Sequence, residues 1–87
     1  MLNRAQIRAA RSWLDISQDE LGQWSGVAKR TIIRIEQGAS SGQERTLRDL
    51  QRAFEDRGIE FLFENGRGIG IKARTTLEAK PAVSVEN

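Results

Sequence analysis

Two short helical segments on either side of Gly26 constrain the fold of this chain more than any other feature. Before that glycine, Ser17 and Glu20 form a capping box, which predicts a helix that begins at Gln18. The helix is brief because glycine readily adopts the left-handed conformation in which a chain turns sharply. A second helix is predicted over residues 29–37, and a glycine closes it.

The apolar and small residues around this corner have the spacing that two crossing helices need. Leu21 anchors the first helix to a core, and Gly22 leaves room where the second helix crosses it closely. Val27 fills the corner, while Ile32 and Ile35 lie three residues apart on the inner face of the second helix. Each residue is ordinary alone, but together they indicate a helix-turn-helix unit.

Two further helices are expected to flank this unit. In residues 3–14, Ile7, Ala10 and Leu14 follow the helical period, and Asn3 with Gln6 resembles a capping pair. These features predict the first helix of the chain.

A fourth helix is predicted after the loop that follows the glycine corner. Ser41 and Glu44 form a possible capping box at its start, and Gly58 stops it after about residue 57. Its apolar positions keep the helical period: Leu47, Leu50 and Phe54.

The period of the sequence changes after residue 58. Alternating apolar residues predict two strands joined by the tight-turn dipeptide Asn65-Gly66, although Gly68 and Gly70 weaken the second strand. The residues expected to alternate are Ile59, Phe61 and Phe63 in the first strand and Ile69, Ile71 and Ala73 in the second. Residues 75–87 have few large apolar groups and are expected to form a flexible tail.

Composition argues against most enzyme classes. The 87 residues suffice for one domain, which at this size is often marginal alone, so an oligomer is expected. The absence of cysteine and histidine excludes disulfides, cysteine nucleophiles, histidine-based triads and nearly all zinc sites. We therefore expect a protein that is not an enzyme and that uses no metal and no cofactor.

Hydropathy and charge indicate where such a protein acts. No apolar run approaches the roughly 18 residues of a membrane span, and no signal peptide is recognisable, so a cytoplasmic location is expected. The net charge is only +2, but residues 1–52 contain nine Lys and Arg against six Asp and Glu. This excess in the helical part suits a surface that faces phosphates.

Residues 4–57 resemble the helix-turn-helix family of phage repressors and Cro proteins, the XRE family. Four segments in the correct order carry the resemblance: Ile7-Arg8-Ala9-Ala10-Arg11, Ser17-Gln18-Asp19-Glu20-Leu21, Gly26-Val27 and Thr31-Ile32-Ile33-Arg34-Ile35-Glu36-Gln37-Gly38. It implies a mostly α, four-to-five-helix, lambda-repressor-like DNA-binding domain over residues 1–58. The β-hairpin at residues 59–74 is similar to the dimerisation extension of some small members.

The function that this resemblance implies is transcriptional regulation, with repression favoured over activation. A homodimer would bind a palindromic double-stranded DNA operator, in the cytoplasm at the nucleoid, and insert the third helix into the major groove. The alternative from another class is an antitoxin, or another module that binds a protein partner and whose DNA binding is autoregulatory.

The resemblance also implies roles for individual residues. Contacts to base edges would come from Lys29, Arg30, Ile33 and Arg34. Contacts to the DNA backbone would come from Gln18, Thr31, Gln37, Ser40, Ser41, Gln43 and Arg45. Arg11 and Glu36 would form a structural ion pair. A dimer interface would use Ile59, Phe61, Phe63, Ile69 and Ile71. For the first three a place in the core of the hairpin is the alternative, and a dual role in the core and the interface is favoured.

Helical spacing supports the base contacts independently, because residues 29, 30, 33 and 34 lie opposite Ile32 and Ile35 and should point outward. Arginines there suit bidentate contact to guanine, whereas a solvated helix face is the alternative. Ala28 departs from the family pattern because it cannot cap the third helix. Trp13 and Trp24 are expected to fill the core or a groove.

Overall fold

The computed structural model describes residues 1–74, which form four helices followed by an antiparallel hairpin. The elements are α1 (Arg4–Leu14), α2 (Gln18–Ser25), α3 (Lys29–Glu36), α4 (Glu44–Glu55), β1 (Ile59–Glu64) and β2 (Arg67–Ala73). The predicted class, mostly α with a C-terminal hairpin, is confirmed. The tail predicted for residues 75–87 lies outside the described residues.

Local hydrogen bonds explain where α1 and α2 begin and end. The backbone N–H of Gln6 donates to Asn3 Oδ1 at 2.9 Å, and the backbone N–H of Asn3 donates to Gln6 Oε1 at 3.1 Å. Ser17 and Glu20 make the same reciprocal pair at the start of α2. The helix α2 ends at Gly26, whose φ of +76° is left-handed. These predicted boundaries are confirmed.

The start of α4 differs from the sequence prediction. Ser41 does not cap the helix, because the N-cap is Gln43, and the Gln43 side chain makes no capping hydrogen bond. Instead, the Ser40 hydroxyl accepts a hydrogen bond from the backbone N–H of Gly42 at 3.1 Å, and Gly42 adopts a φ of +86°. The chain is therefore still turning at the point where the capping box was predicted. The helix also ends at Glu55, earlier than expected.

The core is shared by the helices and the inner face of the hairpin. Its largest fully buried side chains are Phe54, Ile7, Leu21, Ile32, Ile35, Leu50 and Ile59. The rings of Phe54 and Phe61 meet edge to face with their centroids 5.7 Å apart, which ties α4 to β1. The hairpin is therefore part of the same core as the helices.

The strands pair across the tight turn that the sequence predicts. Asn65 and Gly66 have φ values of +54° and +80°, the two left-handed conformations of a hairpin turn of type I′. Further along the hairpin Phe61 lies opposite Ile71. The register then shifts, and Ile69 is the extra residue of a β-bulge in β2.

The side chain of Gln6 holds α1 against this bulge. Its Nε2 donates to the carbonyl oxygens of Leu62 and Gly70, both at 3.0 Å, and the residue is only 3% exposed. Partly buried carbonyls need hydrogen-bond partners, and beside the bulge the amide of Gln6 is a partner for these two. The sequence indicates only a capping role for Gln6.

We expect Gly68→Ala to destabilise the protein far more than the matched control Gly70→Ala. A Cβ at Gly68 would overlap the Oε1 of Gln6, a side chain fixed by its own hydrogen bonds, whereas a Cβ at Gly70 would meet only Leu62 Cδ1 at 3.9 Å. Loss of the hydrogen bonds from Gln6 to the partly buried carbonyls should cost Gly68→Ala about 1–3 kcal/mol. Thermal unfolding followed by circular dichroism measures both variants. Equal unfolding midpoints would show that Gln6 does not hold the hairpin.

Candidate nucleic-acid interface

The helix α3 has a buried apolar face and an exposed basic face. Ile32 and Ile35 are 0% and 2% exposed and fix the helix to the core. Lys29, Arg30 and Arg34 are exposed. The basic side chains therefore point outward, as the helical spacing predicts. Ile33, which was also expected to face bases, is only half-buried, so part of its surface is open to a ligand.

The glycine corner brings α2 close to α3. A Cβ at Gly22 would lie 3.1 Å from the carbonyl oxygen of Val27, which is tighter than an ordinary contact. Ala28 precedes α3 and makes no side-chain cap hydrogen bond, as expected. The first backbone N–H groups of α3 therefore have no capping side chain, and they lie beside the exposed Lys29 and Arg30.

A bidentate ion pair fixes the end of α3 to α1. Arg11 Nε and Nη2 donate to the two carboxylate oxygens of Glu36, both at 2.8 Å, and Glu36 is 7% exposed. Arg11 Nη1 also donates to the carbonyl oxygen of Ile16 at 3.1 Å. The hydrogen bond with Glu36 raises the pKa of Arg11 although burial opposes it. The structural pair implied by the resemblance is present.

Gln18 completes this arrangement. Its Nε2 donates to Glu36 Oε1 at 3.1 Å, so α2 is joined to the same carboxylate as α1. The resemblance implied a contact between Gln18 and the DNA backbone, but the nitrogen of this side chain is engaged within the protein. The side chain oxygen and the start of α2 are the parts of Gln18 that a phosphate could still meet.

A polar crevice of about 320 Å³ lies between α3 and the start of α4. It is lined by Thr31, Arg34, Ser40, Gly42, Gln43 and Thr46. The structure thus brings together Arg34, expected to contact bases, and Thr31, Ser40 and Gln43, expected to contact the DNA backbone. Thr46 was not among the expected contact residues. Its place in the crevice depends on where α4 begins, and the sequence predicted that start incorrectly.

The electrostatics of this crevice suit an anion. Because Gln43 supplies no side-chain cap, the N–H groups in the first turn of α4 are not occupied by a capping side chain. The positive end of the helix dipole and the guanidinium of Arg34 therefore act in the same place. Glu44 is also in this first turn, but its carboxylate is 3.2 Å from Arg48 Nη1, which offsets its charge. A phosphate group matches such a crevice.

Three further residues with expected backbone contacts lie outside the crevice. Gln37 is the exposed C-cap of α3, and Arg45 is exposed in the first turn of α4. Ser41 is exposed and lines a different cleft, of about 650 Å³, together with Arg4 and residues at the start of the chain.

The expected dimer residues divide into two groups. Ile59 and Phe61 are 1% and 6% exposed, because they pack in the chain's own core, and they have almost no surface to offer a partner. The structure places both in the core, which is one of the two roles expected for them, and alternation alone shows that one face is buried but not against what. Phe63 and Ile69 are 39% and 60% exposed, and Ile71 is half-buried.

The two tryptophans also differ from each other. Trp24 is half-buried, and the guanidinium carbon of Arg57 lies 3.6 Å from the centroid of its ring, a cation–π contact that joins α2 to the end of α4. It packs against the core, which is one of the two places expected for it. Trp13 is 66% exposed, so the expectation that it fills the core or a groove is wrong.

Within residues 1–74, no three acidic side chains lie close enough together to hold a metal ion. None of the helices in this part of the chain has the length and apolar character that a membrane span requires. Comparison with known proteins finds no protein-family model and no curated protein that matches the chain. Its function is therefore inferred from its own residues and geometry.

Proposed function

We propose that the protein is a sequence-specific, double-stranded DNA-binding transcriptional regulator of the XRE helix-turn-helix family. The observation that carries the proposal is the exposed basic face of α3 next to the crevice at the uncapped start of α4. The first feature suits base edges and the second suits a backbone phosphate. Together they would fix both the position and the register of the protein on a duplex.

The dimensions and chemistry of α3 fit the major groove of B-form DNA. The groove is about 12 Å wide and admits an α-helix with its side chains. Arg30 and Arg34 can each donate two hydrogen bonds to guanine O6 and N7, and the half-exposed Ile33 can contact a thymine methyl group. An exposed basic helix that the rest of the fold did not hold in place would be an ordinary solvated surface.

The support for α3 favours a rigid reading helix. Arg11, Glu36 and Gln18 join the end of α3 to α1 and α2, while its apolar face is buried. The backbone of such a helix is already ordered when it meets DNA, so none of the interaction energy is spent on ordering that backbone. This rigidity is what direct readout of base edges needs.

The proposed operator is a palindrome, and the proposed active form is a homodimer. Phe63, Ile69 and Ile71 supply the apolar surface of the hairpin that remains open to a second copy. A two-fold dimer would place its reading helices about 34 Å apart, one turn of the duplex. Bound to an operator that overlaps a promoter, it would act as a repressor.

A second candidate function is favoured by the exposure of Trp13 and Ile69, at 66% and 60%. Contiguous exposed apolar patches mark protein interaction surfaces, and in this candidate function Trp13 and Ile69 belong to one. The chain would then be an antitoxin or a similar module that binds another protein and that uses DNA binding for autoregulation.

Selection of duplexes from a random pool tests the proposed function. We expect the immobilised protein to enrich a two-fold symmetric sequence whose half-site centres lie about 10 base pairs apart. The variant with both Arg30→Ala and Arg34→Ala should fold and enrich no sequence. If the wild-type protein enriched no sequence, sequence-specific DNA binding would be excluded, and capture of a protein partner would favour the second candidate.

A further inference from the structure

An acidic side chain lies at the edge of the basic face of α3. Lys29 Nζ is 3.2 Å from Asp19 Oδ1 and 3.3 Å from Asp19 Oδ2. Lys29 is the first residue of α3 and Asp19 the second residue of α2, so the contact joins the starts of the two helices. Their side chains are 50% and 66% exposed. Both groups can therefore meet a ligand that docks on this face.

Stability accounts for little of this ion pair, although Asp19 lies in the first turn of α2, where a negative charge favours the helix by about 0.3–1 kcal/mol. Exposed pairs contribute only about 0–1 kcal/mol. Glu20 and Glu36, in contrast, have clear structural tasks, since the first caps α2 and the second holds Arg11. On a surface that faces DNA, a carboxylate is repelled by the phosphates. Asp19 therefore opposes binding unless the bound DNA presents a hydrogen-bond donor to it.

The major-groove edge of a G·C base pair offers such a donor directly beside an acceptor. Across the major groove, a G·C pair presents two acceptors, guanine N7 and O6, and then a donor, the amino group at cytosine N4. The ammonium of Lys29 is a donor, and the carboxylate of Asp19, 3.2 Å away, is an acceptor. The two groups therefore match guanine O6 and cytosine N4 in that order. At an A·T pair the amino group of adenine N6 would face the ammonium and thymine O4 would face the carboxylate, so both contacts are mismatched.

We propose that Lys29 and Asp19 act as one unit that reads a single G·C base pair, with Lys29 donating to guanine and Asp19 accepting from the amino group of cytosine. The inference rests on the proposed DNA-binding function. It adds Asp19, to which the resemblance assigns no role, as a residue that determines specificity.

The same carboxylate lowers the affinity for other DNA. Where no cytosine amino group faces Asp19, its charge repels the duplex, and it retains Lys29, which then neutralises no phosphate. Asp19 thus raises the affinity for the specific site and lowers the affinity for other DNA, and both effects increase the ratio of specific to non-specific affinity.

The duplex selection is repeated with Lys29→Ala, Asp19→Asn and the control Asp56→Asn. Asp56 is the exposed C-cap of α4, so its replacement makes the same change of charge outside α2 and α3. The base pair at which Lys29→Ala loses its preference is the one that the unit reads. There we expect the wild-type protein to favour G·C, and Asp19→Asn to reduce that preference about tenfold, because an amide can also donate to thymine O4.

Asp19→Asn should keep the wild-type base preferences at all other positions of the selected DNA sequence. Asp56→Asn should keep them at every position. Asp19→Asn should also bind a scrambled duplex more tightly than Asp56→Asn does. Full retention of the G·C preference by Asp19→Asn, or a wild-type preference for A·T at that position, would overturn the inference while leaving DNA binding intact. Failure of the wild-type protein to enrich any sequence would instead refute the proposed function, and this inference with it. Circular dichroism verifies that each variant is folded.

Discussion

Replacement of Arg11 by leucine is expected to lower the free energy of unfolding by about 3 kcal/mol. The variant leaves the carboxylate of Glu36, which is 7% exposed, with the amide of Gln18 as its remaining side-chain partner. The loss is large because a buried charge without its counter-ion keeps its full desolvation cost. Urea denaturation followed by circular dichroism measures the change.

Arg8→Leu is the matched control for this prediction. It removes the same charge from an exposed position of α1, and we expect a change within about 0.5 kcal/mol. If Arg11→Leu is too unstable to measure, the double variant with Glu36→Leu should recover most of the loss, because it removes both charges together. A double variant less stable than Arg11→Leu would contradict the ion pair's role.

The pH dependence of this contribution follows from the direction of the pKa shift. Glu36 raises the pKa of Arg11 in the folded protein, chiefly through their hydrogen bond. A raised pKa means that the arginine's contribution is fully present below its unfolded pKa and is lost only as the pH rises through the folded value. The difference in the free energy of unfolding between the wild-type protein and Arg11→Leu should therefore not be reduced by arginine deprotonation at neutral pH.

Arg34→Ala is expected to weaken binding to the selected duplex by about 1–3 kcal/mol and to change binding to a scrambled duplex little. The reason is that the exposed guanidinium of Arg34 is proposed to contact a base edge, which only the selected sequence presents correctly. Equilibrium titration of both duplexes measures the two affinities.

The crevice provides the competing outcome for Arg34, because it also holds residues expected to contact the DNA backbone. If Arg34 binds a phosphate, Arg34→Ala should weaken both duplexes equally and reduce the slope of log affinity against log salt by about 0.9. Arg52→Ala is the control, since Arg52 is exposed in the last turn of α4, away from the crevice. It should alter neither the ratio of affinities nor that slope appreciably.

Features that depend on neighbouring residues were predictable from the sequence. The capping boxes of Asn3 with Gln6 and Ser17 with Glu20 span three residues, and the left-handed turn at Gly26 is local. The helical period likewise indicated which side of α3 is buried. The prediction at Ser41 was wrong although it was local, because the turn stabilised by Ser40 competes for the same stretch of chain.

Features that join distant parts of the chain were not predictable. The contacts of Gln6 with Leu62 and Gly70 cross 56 and 64 residues, and no pattern near Gln6 indicates them. Alternation in β1 predicted a buried face, but it could not tell whether the core or a second copy covers Phe61. The Lys29–Asp19 contact depends on how α2 and α3 cross, which the sequence constrains only through small residues at the corner.

The affinity of the wild-type protein for its selected duplex, compared with a scrambled duplex of the same composition, tests DNA reading by α3 most directly. At physiological salt we expect the selected duplex to bind at least about 1,000-fold more tightly, with both affinities falling steeply as salt rises. Equal affinities for the two duplexes would contradict the proposal that the exposed face of α3 reads bases.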